Sequence, residues 1–210
     1  MVKQAEKIDL FEVHRKEYIA PKKPALVEVG PATYLSVSGQ GRPGGELFTT
    51  IVGALYSVAY TMKMSQKALG GDYTVGKLEA QWWTDDAGCG LATVPQDEWR
   101  WKLLIRTPDF IGDMELSLAV ETLGKRGKSP NAKEIRLDTL REGLCVQMLH
   151  VGPYEREHET VRVMEEFARQ KGLEAHGRHH EIYLSDPRRV PPQRLRTILR
   201  HPVKPRAACP

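Results

Sequence analysis

Cysteine is scarce in this chain: Cys89, Cys145 and Cys209 are the only three among 210 residues. Three scattered thiols make neither a disulfide framework nor a four-thiolate zinc site, so a reduced, cytoplasmic protein is expected. Long apolar runs are absent as well, and none approaches the ~20 residues that span a bilayer. The N-terminal stretch MVKQAEKIDLFEVHRKEY is charged where a signal peptide would be apolar. Charge of one sign is also in short supply. A formal +4, with a local surplus from Arg188 to Arg206, falls short of the concentrated basic face of a nucleic-acid binder. Catalytic signatures are missing too. There is no G-x-S-x-G and no H-E-x-x-H, and GQGRPGG lacks the spacing and the lysine of a phosphate-cradling loop. Cys145 lies in an apolar strand and Cys89 in a loop without an activating neighbour, so a cysteine nucleophile has little support. What remains, at 40% hydrophobic and 28% charged, is the composition of an ordinary globular domain. The length is enough for a real core.

Tryptophan is where the chain is rich. All four, Trp82, Trp83, Trp99 and Trp101, fall between positions 82 and 101, in a strand–loop–strand pattern (EAQWW, a polar loop, WRWKLLIRTP). Strand side chains alternate faces, so Trp99 and Trp101 share a face while Trp82 and Trp83 point to opposite ones. Two readings fit: packing of one hairpin, or a flat surface for aromatic or cationic ligands.

Residues 1–24 read as an extended lead-in broken by Pro21 and Pro24. Alternating β-rich sequence follows from Ala25 to Gly39. A helix is predicted from Glu46 to Leu69, because Ile51, Leu55, Val58 and Met62 recur at helical spacing. Tyr56 and Tyr60, four apart, can present both rings to one side. The strands VGKLEAQWW and WRWKLLIRT come next, and then a helix from Ile111 to Gly127. The pattern then restarts with strand LCVQMLHVG, a helix from Glu157 to Lys171, and strands HHEIYLSD and LRTILRHPV. Both stretches, 25–110 and 143–204, read strand–helix–strand–strand. Leu78-Glu79 aligns with His180-Glu181. A tandem duplication accounts for this best. The expected fold class is α+β within a single domain: two antiparallel sheet units, helices on one side, and a ligand groove where the halves meet.

The densest polar constellation is GRHHEIYLSDPRR, Gly177 to Arg189. On a strand, His179, Glu181 and Tyr183 share one face, and His180, Ile182 and Leu184 take the other. The apolar pair seeks the core, so Glu181 and Tyr183 face the groove or solvent. A carboxylate in an aromatic-lined groove can serve as a general base or counter a cation, although a solvated Glu–Tyr pair fits the pattern equally well. A metal site from His176, His179, His180 and Glu181 is disfavoured, since the strand splits the two adjacent histidines. His150 and Tyr154 stand where a strand ends and the second helix begins, a position suited to function or to capping a turn.

The ordered motifs ALYSVAYTMK, LEAQWW, WRWKLLIRTPDF, CVQMLHVGPYEREHETV, HHEIYLSDPRR and LRTILRHPV resemble the GyrI-like small-molecule-binding family, in particular its stand-alone branch. The resemblance runs from Lys7 to Pro202. It implies the duplicated strand–helix–strand–strand fold. It also implies a functional glutamate at Glu181 with Tyr183 beside it, and ligand-binding roles for Tyr56, Trp82 and Trp83. Members of that branch open the cyclopropane ring of DNA-alkylating natural products, without a cofactor, whereas related domains bind lipophilic cations for transcription activators. The chain as read offers no helix-turn-helix segment, so the activator role is not expected to transfer. One motif departs: the family's PLEGLWW is KLEAQWW here, with Lys77, Ala80 and Gln81 altering the wall beside the tryptophans.

The expected ligands are therefore planar lipophilic or polycyclic small molecules, not nucleic acid or a membrane, with a weak homodimer left open. Hydrolysis would place Glu181 and Tyr183 at the reaction. Tyr56, Tyr60, Trp82, Trp83, Trp99, Trp101, Glu79, His150 and Tyr154 would bind the ligand. The alternative is a non-catalytic module that sequesters lipophilic cations with the same residues.

Overall fold

The structure, a computed structural model, describes residues 7–85 and 91–206; Cys89 and Cys209 lie outside them. Two copies of the expected unit are present. The first runs β2 (Ala32–Gln40), α3 (Glu46–Ala68), β3 (Glu79–Trp83) and β4 (Arg100–Arg106). The second runs β6 (Gly143–Val151), α5 (Glu157–Gln170), β8 (His179–Tyr183) and β9 (Arg196–Pro205). Flanking elements are α1 (Leu10–Val13), α2 (Arg15–Tyr18), β1 (Ala25–Val29), α4 (Asp113–Lys125), β5 (Arg136–Leu140) and β7 (Leu173–Ala175).

The two units fuse into one nine-stranded sheet of order β1-β6-β9-β8-β3-β4-β2-β5, with β7 attached to β9. That order is symmetric about the antiparallel β8–β3 pair, in which Glu181 pairs Ala80 and His179 pairs Trp82. Joining the units through this pair satisfies backbone groups that two separate sheets would leave exposed at their edges.

On the helix face, Leu35, Val37, Trp101, Leu103 and Ile105 meet the Ile51, Leu55, Val58 and Met62 stripe of α3 and Leu116, Ala119 and Leu123 of α4. Val146, Leu199 and Val203 meet Met164 and Ala168 of α5. The Trp101 ring lies over Gly39, its cross-strand partner, and a Cβ there would come within 2.3 Å of the indole. Only glycine leaves room for the ring.

Three sequence expectations are corrected. Residues 7–24, the described part of the expected extended lead-in, are not extended throughout. Among the described ones, Asp9 caps α1 through the Phe11 N–H, and α2 delivers Tyr18 into a cluster with Ile182 and Ile198 under the sheet. The apolar face of those two short turns, marked by Phe11 stacked on Tyr18 at 4.9 Å, outweighs their brevity. The Ala25–Gly39 stretch is two strands, split at Gly30-Pro31, because proline cannot donate to the ladder. Strands β5 and β7 were also unforeseen. β5 is short and mostly polar, with an Arg136–Leu140 alternation too weak to stand out, and it extends the sheet by pairing with β2.

Candidate functional site

The helix face of β8 presents His179, Glu181 and Tyr183, as alternation required. The Tyr183 hydroxyl donates to Glu181 Oε2 at 2.7 Å, and His179 Nε2 lies 3.4 Å from Oε1. The Glu181 side chain is only 13% exposed. Burial alone would raise its pKa, but the His179 imidazole and the Tyr183 hydroxyl outweigh it and hold the carboxyl below its ordinary value. The same carboxylate works on Tyr183: burial first, and then the charge of Glu181, push the phenol well above its usual range. A buried carboxylate still ionised at neutral pH can accept a proton from water, as a weaker base than an ordinary glutamate because its pKa is lowered.

Glu157, the first residue of α5, brings a second carboxyl to the same place, within hydrogen-bonding reach of Glu181. Two buried carboxylates side by side cannot both keep their charge, so one binds a proton more tightly. Burial and then the Glu181 charge raise the Glu157 pKa well above the ordinary value. A helix N-terminus favours the charged form by roughly 0.3–1 kcal/mol, too little to reverse this. Tyr154, in the turn before α5, stands edge-on to Tyr183 at 5.9 Å. Burial, followed by the charges of Glu157 and Glu181, pushes its phenol up to about 12.

Three buried polar atoms without a hydrogen-bond partner converge here: Trp82 Nε1, Glu157 Oε1 and Thr197 Oγ1. Thr197 is the cross-strand partner of Tyr183 and lies against Glu157 without reaching hydrogen-bond geometry. The Trp82 N–H approaches the Tyr183 phenol closely enough to ease its ionisation, yet it too is out of alignment. An orphaned buried donor or acceptor costs about 1–3 kcal/mol. Three in one place leave hydrogen-bonding capacity unused beside Glu181.

The tryptophans divide. Trp82 stacks on Phe48 at 5.7 Å and meets Trp99 edge-on at 5.9 Å, so these two border the site. Trp101 meets the Phe48 edge and is core. Trp83 faces the opposite side of the sheet, where the Arg178 guanidinium covers its ring at 3.5 Å. Tyr56 is half-buried against the same core cluster as Tyr183 and Trp99. Burial raises its phenol's pKa, and the charge of Asp186, from the loop after β8, adds to the rise. Tyr60 stacks on Tyr56 at 6.2 Å but is 54% exposed, on the outer side of α3.

Two predicted ligand contacts lie elsewhere. His150 uses both ring nitrogens locally, on Thr160 Oγ1 at 2.9 Å and the Pro153 carbonyl at 3.2 Å. With Gly152, Arg156 and Gln193 it borders a separate cavity of about 250 Å³. Glu79 is not the counterpart of Glu181. It lies on the opposite face, 1% exposed, where it accepts from Tyr18 at 2.9 Å and pairs with His180 at 3.1 Å. His180 also meets Glu142 at 2.9 Å, and Arg200 joins Glu142 at 2.8 Å and Gln147 at 2.9 Å. This network is buried on the face of the sheet opposite Glu181. Among the described residues no group of three His, Cys, Asp or Glu side chains is placed to hold a metal ion. His179 and His180 point to opposite faces.

Sequence reasoning missed Glu157 and Phe48. Glu157 sits among Glu155 and Glu159 and looks like any solvated first-turn acid, so only the fold reveals its burial.

A buried acid–phenol cluster bordered by aromatic rings, on a duplicated α+β frame, is the candidate site. Residues 109–204 match the GyrI-like small molecule binding domain. Over 94% of its length the chain is 38% identical to an uncharacterized conserved protein from Listeria innocua, all of which is covered, with a TM-score of 0.87. A hydrolase from the same organism is 36% identical over 94% of this chain and 100% of its own, with a TM-score of 0.84. The C-terminal domain of EcmrR shares the fold alone, at 11% identity over 87% of this chain and 98% of that domain, with a TM-score of 0.55. No protein of curated function matches. The chain belongs to the GyrI-like small-molecule-binding family. No helix among the described residues is long and apolar enough to cross a membrane.

Proposed function

We propose that this protein adds water across the strained cyclopropane of flat, polycyclic DNA-alkylating natural products and so detoxifies them in the cytoplasm. The observation that carries this reading is the Glu181 carboxylate, nearly buried yet kept ionised and aimed by Tyr183 and His179. Trp82, Trp99 and Tyr56 form the aromatic border on which a polycycle would stack, and the free Trp82 N–H would take one of its oxygens. Glu181 removes a proton from water as the oxygen attacks the ring carbon, and the breaking carbon–carbon bond sends its electrons to a conjugated carbonyl. Ring strain supplies much of the driving force, so positioned acid–base catalysis, worth roughly 10²–10⁴-fold, is adequate. Similarity to proteins named hydrolases supports the reading.

The acidic pair Glu157–Glu181 favours one competitor, sequestration of lipophilic cations, with the pair as counter-charge and the indoles as cation–π partners. Incubation with a cyclopropane-bearing alkylator separates the two. Mass spectrometry should show a product one water heavier, formed catalytically. An alkylator that is bound and returned unchanged would leave sequestration as the function.

A further inference from the structure

We propose that Glu157 is the acid partner of Glu181: it carries the proton the two carboxyls share and gives it to the oxygen that receives the ring-opening electrons. This rests on the hydrolase reading above. The geometry assigns the roles. Glu181 is held from both sides, by Tyr183 on Oε2 and His179 near Oε1, partners that stabilise an anion. Glu157 has weaker support, from the Thr197 hydroxyl. Its Oε1 is buried without a hydrogen-bond partner, and the neighbouring Glu181 charge outweighs the Thr197 hydroxyl, so the proton resides on Glu157. The titratable groups that face it are Glu181, Glu155, Tyr154 and Tyr183, and among the described residues no cationic side chain is paired with it to pull the proton away.

The proton count then closes within the pair. Water's oxygen bonds to the ring carbon while its proton goes to Glu181. The carbon–carbon bond breaks, its electron pair reaches the conjugated carbonyl oxygen, and the Glu157 proton lands there to give a hydroxyl. Glu181 is now protonated and Glu157 ionised. Proton transfer from Glu181 to the neighbouring Glu157 restores the starting state without a cofactor. This makes the site selective for substrates whose electrophilic carbon and acceptor oxygen are both within reach of one carboxyl pair, which excludes isolated alkyl cyclopropanes that lack a conjugated carbonyl.

Infrared spectroscopy and kinetics test this together, with a spirocyclopropyl cyclohexadienone alkylator as substrate. At pH 7 the wild-type protein should show the carbonyl stretch of a protonated, buried carboxylic acid, lost in Glu157→Gln and retained in Glu157→Asp. The wild-type rate should fall at alkaline pH as Glu157 ionises. Glu157→Gln should lose roughly 10²–10⁴-fold in kcat and that alkaline limb, with Glu157→Asp recovering part of both. Absence of the band from the wild type, or wild-type turnover in folded Glu157→Gln, overturns the assignment. A wild-type protein that hydrolyses nothing overturns the hydrolase reading instead, and the infrared band still decides whether Glu157 holds the proton.

Discussion

Glu79 and Glu181 lie on adjacent strands one residue out of register, Glu79 pairing Ile182 and Glu181 pairing Ala80, and their side chains leave the sheet on opposite faces. One carboxylate enters the Tyr183–His179–Glu157 cluster on the helix face, and the other lies in a polar network beneath the sheet. A single step along a strand separates the proposed site residue from one in the buried network.

The two should therefore respond differently to the same substitution. Glu181→Gln keeps the shape of the site and removes the proton acceptor, so turnover of a cyclopropane substrate should fall by roughly 10²–10⁴-fold with little change in stability. Glu79→Gln should instead destabilise the protein by about 3–5 kcal/mol, the cost of leaving His180 charged and half-paired in the interior, with activity per folded molecule largely retained. Urea titration beside a turnover assay reads both. Equal loss of activity in two equally stable variants would refute the division.

That contrast also shows how far the sequence could be read. The periodicity of α3 and the restart of the pattern after residue 142 place both helices to within a residue or two, because a long amphipathic stripe is a strong local signal. Alternation put Glu181 and Tyr183 together and Trp82 and Trp83 apart correctly. Aligning Glu79 with Glu181 by identity failed, because a shift of one residue reverses every side chain and a short motif cannot reveal it. The burial of Glu157, and the delivery of Tyr18 from a segment read as extended, depend on contacts 24 and 61 residues away in sequence, Glu157 with Glu181 and Tyr18 with Glu79, which local patterning does not carry.

The network under the sheet should make stability depend on pH. Burial alone would lower the His180 pKa, but Glu142 and Glu79 outweigh it and lift it to about 9. A group raised on folding stabilises fully below its unfolded value near 6.5 and loses that contribution as pH climbs through 9. The Glu142 carboxyl is held at about 2 by His180 and Arg200 despite its burial; its contribution is present above about 4.5 and lost as pH falls toward 2. Melting temperature should thus be highest between about pH 4.5 and 6.5 and decline on either side. His180→Phe should flatten the alkaline decline. An alkaline slope unchanged in that variant would assign it to other groups.

Gly39 offers a check on the core. The Trp101 indole occupies the space a Cβ would need, at 2.3 Å, so Gly39→Ala must push the ring off β2 and disturb its edge contact with Phe48. Overpacking of this kind costs typically about 1–3 kcal/mol. Chemical denaturation should show that loss, together with a red-shifted tryptophan emission as Trp101 moves toward solvent. Wild-type stability with unshifted emission would mean that the ring is not fixed there.

Tyr183→Phe separates orientation from chemistry. The hydroxyl at 2.7 Å from Glu181 Oε2 helps to keep that carboxyl ionised and aimed, and the ring packs against the core cluster that includes Trp82. Phenylalanine keeps the ring and deletes the hydroxyl. The Glu181 pKa should then rise, because burial continues to favour the neutral form while one of its opposing donors is gone. The acid limb of the rate profile should shift to higher pH. Turnover at neutral pH should drop on the order of tenfold to a hundredfold, less than for Glu181→Gln, since the base itself survives. Much of the loss should return at higher pH, where Glu181 is again ionised, up to the point at which the alkaline limb takes over. A loss that is the same at every pH would show that the hydroxyl touches the substrate directly, holding its oxygen rather than tuning the base.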